Sequence, residues 1–143
     1  MKRIVFIALV ISAISLASAS VQAQQKFSAV VTDAERWAAI DYEAPSECTG
    51  GPEECAIKML AGASIEVGED PEFSVYHLGQ KVEKNVTVVF VSHFVEDDDS
   101  VLGRLYRLEL SQGTSNSFQL DKLGAMSQCM NGPAGWRKAP CPE

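Results

Sequence analysis

The chain has 143 residues, 46% of them hydrophobic and 22% charged, with 19 acidic against 12 basic side chains and a net charge of −7. That length is the size of one domain, and the apolar share supplies one core. The acidic balance argues against nucleic acid, because phosphate binding takes clustered Lys and Arg, and it equally disfavours attraction to anionic lipid.

Residues 1–23 have the layout of a secretory signal peptide: Met1-Lys2-Arg3 as the basic head, an apolar run from Ile4 to Leu16, and Val21-Gln22-Ala23 as the cleavage site. The apolar run is short for a bilayer span, which takes about 20 residues. A cleaved leader with no stable membrane insertion afterwards is therefore the expectation. Residues 24–143 then form a single domain with ten basic and nineteen acidic side chains, a net −9, in the periplasm or outside the cell.

Cys48, Cys55, Cys129 and Cys141 are an even set in an exported chain, which predicts two disulfides. Zinc needs closer ligand pairs, and no histidine neighbours either pair. Turn residues lie inside each gap, Thr49-Gly50-Gly51-Pro52 and Asn131-Gly132-Pro133-Ala134-Gly135. The spacing favours the local bridges Cys48–Cys55 and Cys129–Cys141, while cross pairings stay open at the level of sequence.

Residues 24–29 read as a loose leader. Thr32 with Glu35 forms a capping box, and Trp37 and Ile40 follow at helical spacing, so a first helix is expected to open there and end before Pro45. A second begins at Gly51-Pro52-Glu53-Glu54, where Pro suits the first helical position and the glutamates suit the positive end of the dipole. Gly62 offers it a left-handed stop.

Beyond a turn at Glu69-Asp70-Pro71, residues 73–78 alternate well enough for a strand. Residues 86–95 are rich in β-branched and aromatic side chains on both faces, which predicts a central strand. Glu96-Asp97-Asp98-Asp99-Ser100 is a turn, and 101–110 returns as a second strand with Leu102, Tyr106, Leu108 and Leu110 on one face and Leu105, Arg107 and Glu109 on the other. Residues 117–130 give a third, in which Lys122 and Gly124 break the alternation and suggest a bulge. The expected fold is α+β: two N-terminal helices packed on a three- to four-stranded antiparallel meander, stapled by disulfides.

Little in the chain signals chemistry. No catalytic, cofactor-binding or metal-binding set emerges: there is no G-x-S-x-G elbow and no Gly-rich phosphate loop, and the acidic run 96–99 lacks the ligand spacing of a calcium loop. His77 is placed at the surface. His93 shares the face of Val89 and Val91 and reads as a hydrogen-bonded structural histidine. Arg104 falls on the face of Leu102 and Tyr106, where it either snorkels past the sheet end or reaches into a cavity. His93 and Arg104 are thus the candidate polar groups of a pocket.

Residues 97–141 resemble a group of small exported bacterial proteins of unknown function. The resemblance rests on Asp99-Ser100-Val101, Gly103, Tyr106-Arg107-Leu108 and Leu110, then Cys129, Gly132, Trp136 and Pro140-Cys141. It implies export and a Cys129–Cys141 staple, and it carries no activity. The strand before the cysteine, tryptophan-rich in that group, here reads Ser117-Phe118-Gln119-Leu120.

Two functional readings follow. The first is a non-enzymatic binding, accessory or inhibitor protein with a protein partner in the cell envelope and no cofactor. The alternative is a pocket protein of cystatin-like or nuclear-transport-factor-like architecture that binds or turns over a small molecule through His93 and Arg104.

Overall fold

The β-branched and aromatic runs of the second half build most of the molecule. The structure, a computed structural model, describes residues 33–43, 47–81, 84–96 and 98–142, with the side chains of 80, 81 and 84 excepted. The predicted leader, the Thr32 cap and the stop at Pro45 lie outside the described residues, as does Asp97. In chain order the elements are a 3-10 turn Ala34–Arg36, strands β1 (Ala38–Ala39) and β2 (Cys48–Thr49), helix α1 (Pro52–Gly62), and strands β3 (Glu72–Lys81), β4 (Lys84–Phe94), β5 (Val101–Gln112), β6 (Ser117–Cys129) and β7 (Trp136–Arg137).

The long strands run as an antiparallel meander β3-β4-β5-β6. Three two-residue strands then pair along the far edge of β6: β2 at Ser117 and Phe118, β1 at Gly124 and Ala125, β7 at Ser127 and Gln128. Together they satisfy backbone groups that a bare edge would leave open to another chain. Among the described residues the result is an antiparallel sheet of seven strands with one α-helix, which corrects the expectation of two helices on three or four strands.

The missing helix has a physical reason. The Asp33 side chain accepts from the Glu35 amide and caps only a single 3-10 turn, after which Trp37 is extended at φ −101°, ψ 145°. Extension lets Ala38 and Ala39 pair with β6 and puts the Ile40 amide 3.1 Å from the Leu123 carbonyl. It also lays Trp37 over Gly124, where an added Cβ would stand 2.7 Å from the tryptophan Cβ. Edge pairing and burial of one indole outweigh a short alanine-rich helix, which is marginal by itself.

Helix α1 is where the sequence placed its second helix. Cys55, Ala56, Met59 and Leu60 recur on one face, all fully buried against Val89, Val91, Leu108, Leu110 and Leu123, while Glu54 and Lys58 pair at 2.6 Å on the wet side. The stop is displaced from the expected glycine. Ser64 takes the left-handed conformation at φ 59°, its amide bonds the Ala61 carbonyl, and the Ile65 amide bonds the Leu60 carbonyl at 2.9 Å. That is a Schellman closure, with Leu60 and Ile65 as its apolar pair in the core. The Cys48–Cys55 disulfide, Cα–Cα 5.6 Å, ties the helix to β2 and thereby to the edge of β6.

The sheet face away from α1 is also buried along Val86, Val88 and Phe90. Trp37 stacks on Phe90 at 5.4 Å, and Tyr76 meets the same ring edge-on at 5.6 Å. Two shifts of register deserve their places. Asp121 is the extra residue opposite Glu109 and Leu110, and Leu102 is the extra residue opposite Cys129 and Gln128. The first bulge thus precedes Lys122, and Gly124 serves the close approach of Trp37. The second explains why Leu102 leaves the apolar face expected for it and stands exposed.

Candidate functional site

The four cysteines form the two local disulfides Cys48–Cys55 and Cys129–Cys141, the latter with Cα–Cα 5.4 Å. Paired cysteines suit an oxidising compartment. The second bridge folds the tail back so that β7 pairs with β6, which positions Trp136.

His93 and Arg104 are direct cross-strand partners on β4 and β5. The His93 ring stacks on Tyr106 at 5.9 Å, on the helix face. Its Nδ1 lies 3.1 Å from the Phe94 carbonyl, which only accepts, so Nδ1 carries the hydrogen. Nε2 is buried without a hydrogen-bond partner among the described residues. Arg104 is half-exposed and reaches the Asp98 carboxylate at 4.0 Å. It lines a broad, open groove of about 460 Å³ together with Tyr106, Ser127, Lys138 and Ile40. His93 lines a different cavity, so the two residues meet across strands without sharing a hollow. His77 is exposed, with Nδ1 3.0 Å from the Thr87 hydroxyl.

Electrostatics around the groove are structural. Burial pushes the Tyr106 phenol above its ordinary range, and Arg104 partly opposes that rise. The Asp98 carboxylate is held below its ordinary range by the Ser100 hydroxyl first, then by the Ser100 and Val101 amides. Those bonds, 2.7, 2.9 and 3.2 Å, close the β4–β5 turn, so the acidic run acts here as turn chemistry. Tyr42 donates to the Leu120 carbonyl at 2.9 Å and is likewise shifted upward, by burial and then by Asp121. Among the described residues no three His, Cys, Asp or Glu side chains converge as a metal site requires, and no helix is long and apolar enough to cross a membrane.

The most distinctive surface lies at the same end of these strands, on the face away from α1. Trp136 pairs with Gln128, Gln128 with Gly103, and Gly103 with Phe94. Cross-strand partners share a face, so these four positions form one row. Gly103 leaves the space in that row, and the outer edge of the Trp136 indole lies 3.4 Å from where its Cβ would be. Phe94 is nonetheless 79% exposed and Trp136 41%, with Leu102 and Met130 also exposed nearby in sequence. Phe94, Trp136, Gln128 and Ser92 line a cavity of about 120 Å³ whose remaining wall includes Asp70 and Glu72.

Sequence reasoning missed this row, because Phe94 reads as the end of a core strand and nothing announces that the sheet stops there. It also missed a buried ion pair. Arg107 and Glu109, expected on an unremarkable second face, are 2% and 5% exposed and meet at 2.9 Å. The signal was present as two opposite charges at i, i+2 inside an apolar strand. Comparison with protein families, with curated proteins and with solved structures gives no match to this chain.

Proposed function

We propose that this is an exported, non-enzymatic binding protein of the periplasm or extracellular space, and that it contacts a protein partner of the cell envelope through the aromatic row at the end of its sheet. The observation that carries the reading is the 79% exposure of Phe94 beside a half-exposed Trp136 on a rigid strand row. Large aromatics held on the surface by regular structure are the usual anchors of protein interfaces, and a contiguous exposed apolar patch marks a contact site more often than an accident. Export is supported by the leader-like residues 1–23 and the two disulfides. The resemblance of residues 97–141 to small exported proteins belongs to the same proposal.

The small-molecule alternative draws less support. The groove at Arg104 is broad and open to solvent, and the cavity at His93 is separate from it and, at about 120 Å³, below the range of about 300–1,000 Å³ of small-molecule pockets. The test is affinity capture from the producing cell's envelope extract with residues 24–143, beside an F94D/W136S variant of the same chain. The reading expects a discrete protein retained by the first and lost by the second. Equal retention by both overturns the aromatic row as the contact surface.

A further inference from the structure

We infer that the cavity beside the aromatic row receives the cationic end of a lysine or arginine side chain presented by the partner. The inference rests on the contact surface proposed above and names what that surface recognises. Its volume of about 120 Å³ is well below that of small-molecule pockets and suits one side chain. Ser92, His93 and Gln128 form part of its wall, and the rest is of two kinds. Phe94 and Trp136 offer exposed π surface, and indole is the best aromatic partner for a cation. Asp70 and Glu72, both exposed, supply negative charge at the same cavity. Neither makes an ion pair or hydrogen bond among the described residues, so none of the described cations neutralises them.

The geometry of the row prepares the site. Trp136 is held by backbone pairing to Gln128 and by the Cys129–Cys141 bridge, and it settles on Gly103. Glu72 is brought to the same face through its pairing with Ser92. An aliphatic side-chain stem can lie along the aromatic surface while its charged end reaches the carboxylates, which is how Lys and Arg bury their stems. The chain's net charge of −7 favours approach of a basic segment over an acidic one.

The test uses three blocked tripeptides, glycyl-lysyl-glycine, glycyl-arginyl-glycine and glycyl-norleucyl-glycine, titrated into residues 24–143 while the Trp136 indole N–H is followed by NMR. The expected result is a saturable shift with the lysyl and arginyl peptides and affinity about tenfold weaker for norleucyl, the size of one exposed cation–π contact plus an ion pair. The variant D70N/E72Q abolishes that preference, and D70N and E72Q singly reduce it should the double variant fail to fold. Equal affinity for the lysyl and norleucyl peptides overturns the cation while leaving the aromatic row as a contact surface. Absence of a saturable shift with all three overturns the inference. Loss of the row itself is read separately, by capture that survives F94D/W136S.

Discussion

Arg107 and Glu109 stand 2.9 Å apart in the middle of β5, nearly inaccessible to water. At an effective dielectric near 20 their attraction is about 6 kcal/mol, and it is offset by a desolvation cost of several kcal/mol for each ion. The intact pair therefore adds little net stability, while removing one partner leaves the other charge buried without this contact. A double-mutant cycle separates the two statements. R107M and E109L are each expected to lower unfolding free energy by about 3–5 kcal/mol, and R107M/E109L to fall within about 2 kcal/mol of the parent. The corresponding coupling is at least about 3 kcal/mol. Urea unfolding followed by fluorescence measures it directly, because Trp37 is buried on the same face. Single variants that cost under about 1 kcal/mol with negligible coupling are the signature of a solvated pair and would refute the reasoning.

Three further outcomes are expected. G103A places a methyl 3.1 Å from the His93 carbonyl oxygen and 3.4 Å from the Trp136 ring; the backbone cannot yield as easily as the indole, so Trp136 emission shifts to the red and stability drops by about 1–3 kcal/mol. Tyr42 and Tyr106 have folded pKa values raised above the unfolded 10.0. Their contribution is therefore complete below pH about 10 and is lost as pH rises through the folded values, and Y106F flattens that alkaline limb in a stability-versus-pH series. Replacing the second staple, as C129S/C141S, costs about 2–3 kcal/mol in the chain-entropy model and releases β7, so exchange of the Trp136 amide accelerates while that of Leu108 keeps pace with global unfolding.

The strand-rich second half was legible because period-two alternation and β-branched content act locally: β4, β5 and β6 lie where residues 86–95, 101–110 and 117–130 pointed. Helix α1 was legible for the same reason, with Pro52 and the two glutamates marking its start. The first helix failed because the capping box and the helical spacing of Trp37 and Ile40 are local signals, whereas edge pairing with β6 is a long-range event that no local pattern records. Leu102 failed because it is itself the extra residue of a bulge, opposite Cys129 and Gln128, and so leaves the alternation. The cysteine spacing indicated local bridges, and both are present. Of the two polar candidates, Arg104 snorkels beside Asp98 and His93 stacks on Tyr106. The candidate cavity brings His93, which the sequence singled out, together with Asp70, Glu72, Phe94 and Trp136, which it did not.

The proposed contact role of the aromatic row has one decisive test. The direct measurement is photo-crosslinking in the producing cell, with a benzophenone side chain placed at Phe94 in one strain and at Lys58, on the exposed face of α1, in another. A discrete protein adduct at position 94 with none at position 58 is the predicted result. Adducts of equal yield at both positions, or none at 94, would contradict it.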